Sequence, residues 1–236
     1  MNISYKRIQA IFLKDFKEFT RNYSISIILV FPIFFALLYR SDDPAQLFMT
    51  GFVLNFLFAM VTSFIQACLI AEEKEKNTLR SLMMTPASIF DVLLGKSTLV
   101  FVLSAVVISI TAYILGYVPS NYIVFFIATG LSIILYTALG TICGLYSKTV
   151  MEASLAIFPV IIIFTMSSFG SQFEDRFPFL RILEFFPSSQ YVNLLDGMQL
   201  SSKLADAFEG LGILLIWTVV VTIISVFLYK KRLMDK

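Results

Sequence analysis

The sequence predicts an all-α, polytopic membrane protein, and three observations carry that prediction. The first is composition: of 236 residues, 58% are hydrophobic and 14% charged, against about 25% charged in an average soluble domain. The second is spacing, since the charges gather in clusters separated by apolar runs of about 17 to 25 residues, the length that crosses ~30 Å of hydrocarbon as helix. The third is the absence of the ten-residue alternating segments that mark an outer-membrane barrel. A mean hydropathy of +0.85 agrees with all three.

Six spans are expected, over residues 23–39, 47–71, 97–117, 122–146, 151–169 and 211–229. The first is short and contains Pro32, which is expected to kink it or mark an irregular turn. It follows a charged amphipathic stretch with no small-residue cleavage site, so Met1 is expected to begin the mature chain. Orientation follows from the cations. With both termini cytoplasmic, all of the 18 Lys and Arg residues except Arg40, Arg176, Arg181 and Lys203 fall inside, as the positive-inside rule requires. The acidic residues divide evenly and add nothing. The expected location is therefore the cell (cytoplasmic) membrane, with N and C termini cytoplasmic.

The spans exclude several functions. None carries Asp, Glu, Lys or Arg in its interior, and the chain has no His, so the intramembrane ionisable groups that couple pumps and symporters to protons or sodium are missing. His-ligated zinc, HExxH proteolysis and Ser–His catalysis go with them. Gly95-Lys96-Ser97-Thr98 looks like the end of a phosphate-binding loop, but Phe90 stands where its first glycine belongs and no strand precedes it. Glu72-Glu73 suggests an intramembrane prenyl-protein protease, yet Asn77 replaces the required Arg. No catalytic, metal or cofactor residue is expected in this chain, and no nucleic-acid partner. Cys68 and Cys143 lie toward the reducing side, which argues against a disulfide. Gly140 and Gly144 form a small-xxx-small pair suited to close helix packing, with Gly130 in the same span.

The segments outside the spans hold the remaining information. Over residues 1–22, Ile8, Ile11, Phe12, Phe16 and Phe19 share about 140° of helical arc opposite Arg7, Lys14, Lys17, Glu18 and Arg21. That pattern predicts an amphipathic interfacial helix on the lipid bilayer; a helix docked on a soluble partner is the alternative. Asp15 falls inside the apolar arc. In the 72–96 loop, Asn77 or Thr78 is placed to cap a short helix through Leu79, Arg80, Leu82, Met83 and Met84, ended by Pro86, before Ser88 starts the helix leading into the third span. A two-turn helix exposing Leu79, Leu82 and Met83 needs a neighbour to hold it, either a partner or its own bundle.

The run Glu72-Glu73-Lys74-Glu75-Lys76-Asn77-Thr78-Leu79-Arg80, then Met83-Met84-Thr85-Pro86-Ala87-Ser88 and Leu94-Gly95-Lys96, resembles the permease subunits of type-2 ABC exporters, with Asn77 in place of the commoner Gly. The likeness extends to the amphipathic N-terminal helix, the six spans and a proline-aromatic external segment. It implies a single transmembrane domain over 1–236 whose 72–96 loop is a cytoplasmic coupling loop seated in a separate ATPase subunit that carries the ATP and Mg. Glu72 and Glu73 would lie near the ATPase surface, Thr78 to Thr85 would form the coupling helix, ended by Pro86, and Lys96 would start the third span at the interface. The N-terminal helix would add a second ATPase contact.

The external segment, 170–210, is too long for a bare connector, and its apolar side chains, from Phe173 to Phe186, need cover. Pro187 to Tyr191 resemble the start of the second of two short external re-entrant helices of these permeases; the aromatics would serve as a lid for departing substrate or simply as an interfacial anchor. The expectation is a permease without its own ATPase site, paired with a second permease copy or paralogue and exporting an amphipathic or hydrophobic, lipid-like substrate such as a peptide or drug. A non-transporting scaffold or immunity-type protein is the alternative, and a channel fits less well because no charged ring lines a span.

Overall fold

Where no water reaches the backbone, every N–H and C=O must be satisfied within its own segment, and helices are the solution for unpaired chain. The computed structural model describes residues 4–40, 47–76, 89–170, 177–200 and 204–234, and among these there is no strand. Helix α1 spans Tyr5–Arg21. It is followed by α2, Tyr23–Ser26, a 3-10 turn at Ile27–Leu29 and α3, Val30–Leu38. Pro32 lies in the first turn of α3, where its missing N–H is least costly. The first predicted span is thus a shorter apolar helix, Ile27–Leu38, about 18 Å long at 1.5 Å per residue.

Five helices among the described residues are long and apolar enough to cross a membrane: Phe48–Glu75, Phe90–Ile114, Tyr122–Tyr146, Val150–Ser167 and Ala207–Arg232. The first of these contains α4, Leu47–Leu57, a π-helical turn at Phe58–Ser63 and α5, Phe64–Glu75. The next is α6, Ile89–Ile114, which starts earlier than predicted and runs unbroken through Gly95-Lys96-Ser97-Thr98. It ends where Gly116 takes φ +70 and Tyr117 N–H donates to the Ala112 carbonyl at 3.0 Å, a Schellman closure that needs a residue without Cβ. Helix α7 occupies Tyr122–Tyr146 as predicted, with Asn121 accepting from Ile123 and Val124 N–H at its N-cap. The fifth span divides into α8, Val150–Ala156, and α9, Phe158–Ser167, because Pro159 can neither donate to the preceding turn nor fit against it.

The α4–α5 span is the centre of the bundle: 83% of its most apolar stretch is buried, against 22% for the last span. Four polar side chains on it are fully enclosed, Asn55, Thr62, Ser63 and Gln66, and each bonds to another helix. Asn55 Nδ2 donates to the Phe164 carbonyl at 3.2 Å and to Ser168 Oγ at 3.0 Å, while its Oδ1 accepts from Tyr136 OH at 2.9 Å. Thr62 meets Ser104 at 2.8 Å, Ser63 donates to the Tyr136 carbonyl at 2.9 Å and Gln66 to Thr141 at 2.9 Å. In lipid, such contacts and close backbone approach replace the hydrophobic drive that holds soluble bundles together. Backbone approach is tightest on α7. A Cβ at Gly140 would lie 2.4 Å from the Ser63 carbonyl oxygen, and one at Gly144 would lie 2.6 Å from that of Ala67.

At the end of the bundle opposite the chain's basic clusters, a 3-10 helix at Pro178–Phe185 leads into α10, Pro187–Leu200. Helix α10 sits on α4 and α11, Leu204–Met234. It buries Ser188, Tyr191, Val192 and Leu195, and Ser189 Oγ donates to the Ser167 carbonyl at 3.0 Å. Phe177, Phe179, Ile182 and Phe185 stay exposed; Phe173 lies outside the described residues. Asp196 on α10 is partly enclosed, and that burial pushes its carboxyl up from the ordinary 3.8.

Gly140→Ala and Gly144→Ala are each expected to cost about 1 to 3 kcal/mol by overpacking. Gly130→Ala, at a position with open space around it, should be neutral or mildly stabilising. Thermal unfolding of the detergent-solubilised protein distinguishes the two cases, and equal melting temperatures for all three variants would refute the packing assignment.

Candidate functional site

Six segments meet at the basic end of the bundle: α1, the end of α5, the head of α6, the end of α7, the start of α8 and the tail of α11. Their floor is apolar, built from Ile70, Leu93, Leu145 and Tyr229. Above it lie three ionic side chains almost without exposure, Asp15 at 0%, Lys96 at 1% and Glu73 at 2%. The Lys96 ammonium is 3.0 Å from Asp15 Oδ2 and 3.0 Å from Glu73 Oε1, and it also donates to the Leu69 carbonyl at 3.5 Å. Lys14 closes the group, 3.4 Å from Asp15 and 3.5 Å from both Glu73 and Glu18. The two buried carboxylates, Asp15 and Glu73, are matched by two ammonium groups, while Glu18 stays half-exposed, and such matching is the condition under which a buried ionic cluster is tolerable. Burial works to lower the Lys14 ammonium, yet Asp15, followed by Glu73 and Glu18, outweighs it and holds the group above its ordinary 10.5.

Local geometry explains why α1 fits here. Gly95 leaves room for α1 to cross α6: a Cβ there would sit 2.8 Å from Ile11 Cβ and 3.2 Å from the Ile8 carbonyl oxygen. One residue on, Lys96 reaches Asp15. One turn earlier, Asp91 accepts from Ser4 N–H at 3.0 Å and pairs with Arg7 at 3.4 Å, a carboxylate at the start of α1 where the helix dipole favours it. The remaining segments are tied in similar ways. Lys74 donates to the Leu145 carbonyl at 2.7 Å and to that of Ser147, closing the C-terminus of α7. Glu75 accepts from Val150 N–H at 2.8 Å, while Thr149 accepts from Glu152 N–H at 3.1 Å, so the first turn of α8 is capped twice.

The amphipathic face of α1 is divided by this arrangement. Ile11 and Phe19 are buried against the bundle, Ile8 and Phe12 half-buried, and Phe16 exposed, with Phe16 stacked on Phe12 at 6.3 Å. Asp15, which interrupts the apolar arc in the sequence, is the deepest charge on that face. Glu72 and Glu73, expected near a docking surface, are both largely covered by their own chain; Glu72 pairs with Lys76 at 2.5 Å, and this contact is the main reason that the Lys76 ammonium is raised above 10.5. Thr78, Leu79, Leu82, Met83, Thr85 and Pro86 lie outside the described residues. The Asp15–Lys96 pair was not anticipated. The signal for it in the sequence is Asp15 alone, a charge that interrupts the apolar arc of α1.

No group of three His, Cys, Asp or Glu side chains able to hold a metal occurs among the described residues. What the cluster can do is mechanical. An ammonium shared by carboxylates from two other helices makes α1, α5 and α6 one body at this end. Lys96→Met is expected to cost about 3 to 5 kcal/mol, the range for breaking a buried ion pair, and to raise thiol labelling of an Ile11→Cys reporter. Lys76→Met, which removes a half-exposed pair, should cost less than about 1 kcal/mol. Equal thermal shifts for the two, with unchanged labelling, would show that the buried cluster does not hold α1.

The match to known families falls on this bundle. Residues 38–227 match the family described as ABC-2 family transporter protein, a stretch that begins at the end of α3 and runs through α4 to most of α11. A search of the curated proteins finds no match. With membrane-length helices throughout the matched region, this chain belongs to the ABC-2 transporter family, as the membrane-spanning permease component of an ABC transporter.

Proposed function

We propose that the chain is the permease of an ATP-driven exporter, oriented with its basic end in the cytoplasm and worked by a separate ATPase subunit that binds that end. The observation that supports this most is the position of the 77–88 segment. It begins after Lys76, at the end of α5, and leads into α6 at Ile89, the two helices that Lys96 and Glu73 brace together. A displacement applied to that segment reaches both helices as one body, and α1 follows through Asp15 and Asp91. From α5 the movement passes to α7 through the backbone contacts at Gly140 and Gly144, because close-packed interiors shift between arrangements and do not compress. Glu73 then serves within the linkage, and Thr78 to Thr85 form the contact with the ATPase.

ATP and Mg belong to the partner in this reading. A second permease subunit completes the path, and the charge-free spans suit an amphipathic or lipid-like cargo better than an ion. Export, against import, rests on the resemblance of the 72–96 run to type-2 exporters.

The test uses the purified chain with the ATPase encoded beside it. Membrane-dependent stimulation of ATP hydrolysis is expected, and Leu82→Asp or Met83→Asp should reduce it about tenfold or more while the melting temperature of the permease stays within about 2 °C. A complete absence of stimulation would favour a non-transporting scaffold. Full stimulation in both variants would remove the coupling assignment and leave the transporter family untouched.

A further inference from the structure

A second feature of the basic end has no part in the coupling network. Between α6, α7 and α11 runs a groove of about 460 Å³, lined on α6 by Phe90, Ser97 and Phe101, on α7 by Thr137, and on α11 by Ser225 among others. Its size falls within the range of about 300 to 1,000 Å³ typical of small-ligand clefts, and its walls belong to three membrane-length helices. Lys230 Nζ stands 4.9 Å over the Phe90 ring at the mouth. Arg232 lies over Tyr146, the last residue of α7, at 4.6 Å. Lys230, which reaches the groove through Phe90, has no ion-pair partner among the described residues, so among those residues the mouth of an apolar groove carries a positive charge.

We propose that this groove holds an anionic phospholipid of the adjacent leaflet, with the phosphate at Lys230 and an acyl chain along α6 and α11 toward Phe101. The spacing suits the occupant. Ser225 is five residues from Lys230, about 7.5 Å along the helix, close to the thickness of one interfacial layer of a bilayer, roughly 5 to 8 Å. Ser97 and Ser225 both line the groove, and most of its lining is apolar, as an acyl chain requires. A second copy of this protein fits the groove poorly. A two-fold contact across it places the same unpaired cations opposite one another, whereas a phosphate neutralises them. The inference rests on the membrane-spanning fold and is independent of the direction of transport and of ATPase coupling.

The experiment measures lipid retained by the full-length purified chain in native mass spectrometry, with phosphatidylglycerol and phosphatidylcholine of matched acyl chains as the probes. Phosphatidylglycerol should be retained at least about five-fold better, the factor associated with one cation near an anionic lipid. Lys230→Gln, at an exposed position, should abolish that preference and leave phosphatidylcholine retention unchanged. Location is read by a Phe101→Trp, Trp217→Phe variant in nanodiscs, where brominated phosphatidylglycerol should quench at about five-fold lower mole fraction than brominated phosphatidylcholine. Equal retention of the two lipids, a preference that survives Lys230→Gln, or equal quenching would each overturn the proposal. So would loss of dimer on filling the groove by Ser225→Trp with lipid retention unchanged, since that result assigns the groove to a second copy.

Discussion

One buried ammonium, Lys96, governs the basic end of this bundle. Removing a charge of that size from water is costly enough that it persists only with partners of opposite sign and good geometry, and here the partners come from two other helices, Asp15 on α1 and Glu73 on α5. The requirement is mutual. Asp15 could not be enclosed on the apolar side of α1 without Lys96, and Glu73 could not turn inward at the end of α5 without the same cation. The neighbouring glycine is part of the same solution, because only a residue without a side chain lets α1 come close enough for Asp15 to reach. Gly95-Lys96, which superficially resembles a nucleotide-binding sequence, is thus a helix crossing followed by its electrostatic anchor.

The rest of the bundle is organised around the α4–α5 span in a different currency. No ion is available inside the membrane, so the connections are neutral: an Asn shared between α7 and α9, a hydroxyl pair to α6, and the glycine face of α7 laid against the backbone of this span. The π-helical turn at Phe58–Ser63 falls within this polar series. On an ideal α-helix Asn55, Thr62, Ser63 and Gln66 fall within about 100° of arc, and all four are enclosed. The two systems meet at Ala67 to Glu73, where glycine packing from α7 gives way to charge pairing with α6 and α1. That junction makes α5 the element through which the ends of the protein are related.

The two ends also differ in how they treat their apolar surface. At the basic end, apolar side chains of α1 are partly withdrawn into the bundle and charge is concentrated inside. At the opposite end the 3-10 segment leaves Phe177, Phe179, Ile182 and Phe185 outward, while a ladder of aromatic contacts, Phe58 to Tyr136, Tyr136 to Phe164, Phe164 to Phe186 and Phe186 to Trp217, seats it on the spans. Such contacts are individually modest and geometrically tolerant. An ion pair between backbones in tight contact is neither.

The sequence by itself determined the class of protein and the approximate positions of the five membrane-length helices among the described residues, because these follow from local quantities, apolar length and charge clustering; the short first helix and the break before Pro159 did not follow from them. It also determined the family, through the residues from Glu72 to Lys96. What only the tertiary structure decided is which polar groups face one another. Asp15 read as an interruption of an amphipathic face and Lys96 as the head of a span; their pairing spans 81 positions and depends on a crossing angle that no periodicity encodes. Asn55 and Gln66 were likewise unremarked within an apolar run. A helix pattern specifies the face a residue occupies, whereas burial of a charge or amide is permitted only by a partner on another element, and that partner exists only once the helices have packed.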